Sequence, residues 1–315
     1  MGTPSPSLSS TGGDAGGHRL ALSVDLDEWY HSRRWVDGRQ AREVPDLTAV
    51  FRRVYGADRP AGDIVAPTLD LLDLLDEHGV SATFFVLGEV AEWYPDLVRE
   101  IGRRGHELAC HGMRHVDMTV LGPDRFRREL AGAVDVIYRI TGMRAVGYRA
   151  PNLVYASWAT RILEDEGFLY DSSVCVSRPV GGKYQGYAKA PVHPYAPAYD
   201  DVARPGDARL VELPLPGVPV LRLPGGSSIA TRLLGYHATI LALGAAIRRG
   251  NTAYYLHPWE LAPVPDTGDR SLKNAVFLWR TGSWMRDRLQ RLLDRYRGRI
   301  VTCRESAEAV AAARG

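Results

Sequence analysis

The run His18-Arg19-Leu20-Ala21-Leu22-Ser23-Val24-Asp25-Leu26-Asp27 puts Leu20, Leu22, Val24 and Leu26 on one side of the chain and smaller or polar residues on the other. That is the two-residue period of a β-strand. Downstream, the apolar period lengthens and shortens in turn. Residues 67–78 read as a helix, 81–87 as a strand, 95–104 as a helix, 106–110 as a strand, 123–140 as a helix, 145–149 as a short strand and 157–166 as a helix. Gly79, Gly105 and Gly167 each follow a last helical turn and precede a strand, as C-terminal helix stops do. Strand and helix alternating at this spacing favour a parallel sheet or barrel with helices outside. Residues 177–207 are rich in Pro, Gly and Tyr and too long for an idle connector, so they are expected to form a substrate-facing loop. The alternation then resumes with strands at 211–215, 252–256 and 300–303 and helices at 229–249, 283–296 and 305–314. No internal repeat or clean linker interrupts it, so a single domain over 18–315 is expected to follow a flexible tail at 1–17.

With 315 residues and 45% hydrophobic content, the chain can bury a large core. Its 39 basic and 37 acidic residues leave a net charge of +2, too small a field to recruit nucleic acid or a membrane surface by itself. Cys110, Cys175 and Cys303 are odd in number and widely spaced, which suits a reducing compartment. The first 17 residues have no apolar core, and the most apolar later stretch, 229–247, is broken by Arg232 and His237. A cytoplasmic protein with no stable membrane insertion is expected.

Asp25 and Asp27, two apart on the first strand, leave it on one face and converge at its C-terminal end. Two carboxylates that close oppose joint ionisation unless a cation or donor shares the site, although a solvated strand end would also tolerate them. Glu28 would point the other way if the strand continued. In His111-Gly112-Met113-Arg114-His115 two imidazoles lie four apart after another strand; on one helical turn they would share a face and could bind one metal. Tyr148-Arg149-Ala150-Pro151 ends a third strand, and Leu256-His257-Pro258-Trp259-Glu260 a fourth. Strand C-termini form the edge of an α/β barrel where sites collect. Two histidines and a carboxylate with a spare carboxylate nearby have the composition of a hydrolytic zinc centre with an open position for water.

At these residues, and at Ala82-Thr83-Phe84-Phe85-Val86-Leu87-Gly88 and Gly105-His106-Glu107, the chain resembles the family-4 carbohydrate esterases, the polysaccharide and chitooligosaccharide deacetylases. The likeness runs from about Leu20 to the end of the chain. Leu223-Pro224-Gly225-Gly226-Ser227 and His257-Pro258-Trp259-Glu260 are similar to segments of the bacterial branch associated with exosortase and exopolysaccharide clusters. The resemblance implies a distorted (β/α) barrel of about seven strands. It implies Asp25 as catalytic base, Asp27, His111 and His115 as ligands of a divalent metal, most often Zn2+, Arg149 as the group orienting Asp25, and His257 as general acid. A backbone N–H after Pro151 would hold the oxyanion, with Asn152 where many members carry an aromatic residue. Trp259 joins Pro151 and Asn152 as a candidate for substrate contact, and Trp29, Tyr30 and Trp35 also flank the site segments. Two departures stand out: the first segment reads Asp-Leu-Asp-Glu, which leaves Glu28 open as an alternative ligand to Asp27, and no counterpart of the family's Asp-x-x-Asp-Trp segment is found. The implied activity is metal-dependent hydrolysis of the N-acetyl group of an amino sugar, on an intracellular glycan precursor or glycosylated metabolite. A cyclic-amide hydrolase of the same fold and a catalytically silent carbohydrate-binding protein are the alternatives.

Overall fold

The computed structural model describes residues 17–32, 46–179 and 185–314. In chain order the elements are β1 (Leu20–Leu26), α1 (Thr48–Tyr55), α2 (Val65–His78), β2 (Thr83–Val86), α3 (Gly88–Trp93), α4 (Pro95–Arg103), β3 (Glu107–Cys110), α5 (Met118–Thr141), β4 (Gly147–Tyr148), α6 (Ala159–Asp165), β5 (Tyr170–Asp171) and β6 (Val211–Glu212). They continue with α7 (Ser228–Leu234), α8 (Tyr236–Ile247), β7 (Thr252–Leu256), α9 (Leu272–Phe277), α10 (Ser283–Arg295), β8 (Ile300–Val301) and α11 (Cys303–Ala312). The sheet runs β6-β5-β4-β3-β2-β1-β7, every pairing parallel, and curls into a half-barrel of seven strands. β8 pairs with β1 only at Leu20 and Ala21, below the point at Ser23 where β2 takes over.

Both faces of β1 are buried. Leu20, Leu22, Val24 and Leu26 pack into the main core with α2, α4 and α5, while Ala21 faces inward beside Phe85, Ala109, Tyr170 and Tyr255. The alternation in the sequence therefore separates a helix-packed face from a barrel-facing face. The inner face is small and polar because a half-barrel leaves room inside for short side chains and for the groups that work there. At its far edge, Asp171 on β5 and Glu212 on β6 are register partners, and both are fully buried. Burial raises both pKa values, and Glu212 keeps its proton and donates it to Asp171.

The helix expected over 229–249 is two helices. Gly235, at φ 92° and ψ 156°, ends α7 and begins α8 in a conformation open in practice to glycine alone. β5 was not expected, and its two residues are too few to carry a period. Residues 177–179 and 185–207 contain no regular element and line no part of the cavity described below, contrary to the expected substrate loop; 180–184 lie outside the described residues. The segment instead braces the sheet edge, where Tyr195 exchanges two backbone hydrogen bonds with Glu212 at 3.1 and 2.8 Å. Among the described residues no helix is long and apolar enough to cross a membrane. Residues 1–16, which make up nearly all of the expected tail, lie outside the described residues.

Candidate active site

Past the C-terminal ends of β1, β3, β4 and β7 lies a cavity of about 70 Å³ lined by Asp25, Asp27, His111, His115, Asn152 and His257, among others. Asp25 sits on the inner face of β1, and Asp27 follows past the strand's end. Arg149, fully buried at the end of β4, donates to Asp25 Oδ1 at 2.6 Å. Its other donors reach Ser23 Oγ (3.0 Å), Ser172 O (2.9 Å) and Ser172 Oγ (2.8 Å), and its guanidinium lies over the Phe85 ring at 4.1 Å. Burial opposes the Arg149 charge, but Asp25 foremost among its neighbours raises its pKa, so the guanidinium stays charged and holds the Asp25 carboxyl in one orientation.

His111 and His115 leave a bend after β3, not the helical turn that their spacing suggested. Gly112, at φ 93°, makes the bend, and its carbonyl accepts the Gly88 N–H at 2.9 Å from the start of α3. Each of Asp27, His111 and His115 offers one ligand atom, and these atoms lie within 4.8 Å of one another. His111 Nδ1 donates to Arg149 O at 2.8 Å, which leaves Nε2 as the lone pair. Burial lowers the His111 pKa and favours the neutral imidazole that a metal needs. Asp27 Oδ1 is buried without a hydrogen-bond donor, and burial raises the Asp27 pKa. A buried carboxylate oxygen with no hydrogen-bond donor, beside two imidazoles, offers a cation a ready ligand, so these residues fit a divalent metal. Glu28 lies outside this cluster; its Oε1 accepts the Tyr94 hydroxyl at 2.9 Å, and burial raises its pKa to about 7.

His257, just past β7, faces the cluster from the other side, its Nε2 3.9 Å from Asp27 Oδ1. Its Nδ1 donates to Glu260 Oε2 at 3.0 Å. Glu260 lies in the 3-10 turn Pro258–Leu261, and its Oε2 also accepts the His257 N–H and the Ser228 hydroxyl. Its Oε1 accepts Arg232 Nε at 2.9 Å and Nη2 at 2.8 Å. Arg232, 1% exposed in α7, spends Nη1 on Phe277 O and Trp279 O. Burial works against the charge of both His257 and Glu260. Asp27 and Glu260 nonetheless raise His257 to about 9, while Arg232 and His257 hold Glu260 at about 2. Sequence reasoning missed Glu260 and Arg232; the Glu three residues after His257 was the available signal, since its carboxylate can reach back to the His257 N–H.

The remaining candidates divide. Pro151 is buried behind the wall, while Asn152 and Leu153 face the cavity with φ of 57° and 55°. The Leu153 and Val154 amides bond to Ala150 O and Pro151 O, which leaves the Asn152 N–H as the backbone donor of this turn. Trp259 stacks on His257 at 5.5 Å and on Phe277 at 5.1 Å, an aromatic wall at the cavity. Trp29 and Tyr30 are fully buried in the core cluster that also holds Trp259 and do not line the cavity; Trp35 lies outside the described residues.

A curled parallel half-barrel with carboxylates, imidazoles and a buried arginine at its strand C-termini has the architecture of a deacetylase-type (β/α) barrel. Residues 61–170 match the polysaccharide deacetylase family and 172–304 match DUF3473, a domain of unknown function; strands of the one sheet come from both matches. The chain carries a polysaccharide deacetylase domain of the carbohydrate esterase family 4 type. It is 36% identical over 161 residues to a peptidoglycan deacetylase-like protein, FGM2, of Gibberella zeae, covering 50% of this chain and 44% of that one. The chain spans less than half the length of the first curated relatives it matches. Among solved structures, a putative polysaccharide deacetylase from Mycobacterium smegmatis has a TM-score of 0.62 at 23% identity, covering 99% and 96% of the two chains. A PuuE allantoinase has a TM-score of 0.58 at 15% identity, covering 93% and 90%. Both structural likenesses establish the fold alone.

Proposed function

We propose that this chain hydrolyses the N-acetyl group of an N-acetylated amino sugar at the cavity bounded by Asp25, Asp27, His111, His115 and His257. The observation that carries the reading is the cluster of Asp27, His111 and His115 ligand atoms beside an aspartate clamped by a buried arginine. Two imidazoles and one carboxylate suit zinc, and that choice of metal is part of the proposal. When bound, such an ion supplies Lewis acidity: it polarises an acyl oxygen and acidifies water.

The chain's own residues supply the rest. Arg149 fixes Asp25 so that the carboxylate is aimed into the cavity, where it takes the proton of the attacking water as general base. The Asn152 N–H, aimed by the strained turn, donates to the oxygen on which charge develops. His257 faces the site through Nε2, and with Glu260 on Nδ1 it carries the proton that the departing nitrogen needs. The Trp259 and Phe277 rings offer an apolar face to a sugar ring. The expected cytoplasmic setting and intracellular precursor belong to the same proposal.

Elemental analysis of the purified protein and acetate release from N-acetyl sugars test it together. Asp25→Asn is expected to retain the metal while turnover falls by about 10²–10⁴. Wild-type turnover in that variant would refute the assignment of the base. A preparation that holds metal and releases no acetate from any N-acetyl sugar would refute the activity.

A further inference from the structure

A second, apolar cavity of about 130 Å³ adjoins the candidate site. Leu153, Ile229 and Tyr255 line both spaces, so the two meet along one wall. Beyond it stand Leu215, Leu223, Ala230 and Leu233, and no charged side chain lines the chamber. The hydroxyl of Ser227, which borders it, is already engaged by the Ala230 N–H at 3.1 Å as the cap of α7. An apolar space of this character takes hydrocarbon; an enclosed one of about 150 Å³ accommodates benzene. A single methyl group would leave most of its apolar wall uncovered, and burying that wall against further methylenes is favourable.

Geometry indicates which part of a substrate would enter. The two substituents of a scissile amide leave the carbonyl in opposite directions, one from carbon and one from nitrogen. Trp259 and Phe277, the aromatic wall suited to a sugar, line the site cavity and no part of the chamber. The chamber meets the site at Leu153, one residue past the proposed oxyanion donor, and at Tyr255, two residues before His257. The nitrogen substituent therefore takes the aromatic side and the acyl chain the apolar side. Leu233 and Leu234 are 43% and 42% exposed, so the far end opens to solvent and the tail of a longer chain can emerge there.

We propose that the chamber is an acyl-chain pocket, and that the preferred substrate is an amino sugar whose N-acyl group has about four to six carbons, the content that such a volume holds. The inference rests on the N-acyl hydrolysis reading above and extends it from acetyl to short fatty acyl groups. The reaction balances as an ordinary hydrolysis. The acyl C–N bond breaks, water adds hydroxyl to the carbonyl carbon and hydrogen to the nitrogen, and the products are a short-chain carboxylic acid and the free amino sugar.

The test is kcat/KM on N-acetyl-, N-butyryl-, N-hexanoyl- and N-decanoyl-glucosamine, read as free amine released by the metal-loaded protein. Each added methylene that fills the chamber is expected to raise kcat/KM about fourfold, hence about fifteenfold from acetyl to butyryl, with the rise ending beyond hexanoyl. Ala230→Leu fills the chamber and is expected to bring the butyryl-to-acetyl ratio close to one; Leu233→Ala widens it and moves the optimum to longer chains. A second readout does not depend on any variant folding: butanoate is expected to inhibit the wild type at lower concentration than acetate. A ratio that falls from acetyl to butyryl in the wild type, or that Ala230→Leu leaves unchanged in a folded protein, overturns the chamber's role while the deacetylase reading stands. Failure to cleave any of the four compounds, acetyl included, overturns both.

Discussion

Replacing Glu260 by Gln tests whether the buried group behind His257 works as a unit. The carboxylate accepts on both oxygens: Oε2 takes the His257 N–H, the His257 Nδ1–H and the Ser228 hydroxyl, and Oε1 takes Arg232. An amide of the same shape can meet only half of this demand. With its oxygen toward Arg232, its NH₂ confronts the His257 N–H and forces Nδ1 to act as an acceptor, so His257 can no longer hold the second proton. With the oxygen toward His257, the NH₂ confronts a fully buried guanidinium. The depression of Glu260 from 4.5 to about 2 corresponds to about 3 kcal/mol at 1.36 kcal/mol per pKa unit. That agrees with the lower end of the ~3–5 kcal/mol for breaking a buried ion pair by removing one partner. For a chain of 315 residues, this lowers Tm by about 5 °C. The sign in pH follows from the direction of the shift. A carboxyl held below its ordinary value contributes stability that is complete above pH 4.5 and is lost as pH falls toward 2. The gap in Tm between wild type and Glu260→Gln, measured on metal-free protein, is therefore expected to be full at pH 5–6 and to shrink below pH 4.5. Turnover is expected to fall by about 10² or more, the share of a general acid. Equal Tm at pH 6 together with turnover within twofold of wild type would refute the reasoning.

Other expectations follow from single contacts. Gly112→Ala places a side chain at φ 93° with its Cβ 3.3 Å from Arg114 O, so it is expected to cost about 1–3 kcal/mol and to weaken metal binding, read by thermal unfolding and by titration of the metal-free protein. His111→Ala removes one of three clustered ligand groups; loss of bound metal by elemental analysis, with far-UV circular dichroism unchanged, is the expected result. Glu212→Gln is expected to stabilise the protein more at pH 8 than at pH 5. The raised Glu212 gives stability below its ordinary value of 4.5 that is lost as pH rises toward its folded value, and a neutral amide has no such loss. A difference in Tm that stays constant across that range would contradict the proton-sharing pair.

The outer half of the fold was legible because it obeys simple periods. Strands 1, 2, 3 and 7 and helices 2, 4, 6 and 10 appear within a few residues of where the apolar spacing placed them, since each packs a continuous stripe into one core. The failures have local causes. β5 is two residues long and is held by β4 and β6 on either side, so its pairing resides in the sheet and not in its own sequence. The 229–249 segment looked like one helix because its hydrophobicity is continuous; a single glycine with no steric cost at φ 92° cuts it. The 177–207 segment was read as a loop because it lacks a period, which is correct, but the absence of a period says nothing about which face of the molecule a loop covers.

For the site, what could be read was whatever ends a strand. Asp25, Asp27, His111, Arg149 and His257 all lie at the C-terminal edge of the half-barrel, and a parallel sheet collects its strand ends in one place whatever the intervening helices are. What could not be read was what arrives from a helix: Arg232 and Ser228 on α7 and the apolar side chains of Ile229, Ala230 and Leu233. Their sequence, Ser228-Ile229-Ala230-Thr231-Arg232-Leu233, has the ordinary composition of an amphipathic helix, and an arginine among leucines reads as a surface charge. The break at Gly235 lets this short helix depart from the course of α8. It can then turn Ser228 and Arg232 inward onto Glu260 and Leu233 onto the chamber. On the proposed reading, one helix serves both the His257 side of the site and the wall of the acyl pocket. Substitutions on its two faces should separate: at Arg232 or Ser228 they change the His257 limb of the pH profile, and at Ala230 or Leu233 they change the chain-length preference with that limb unmoved.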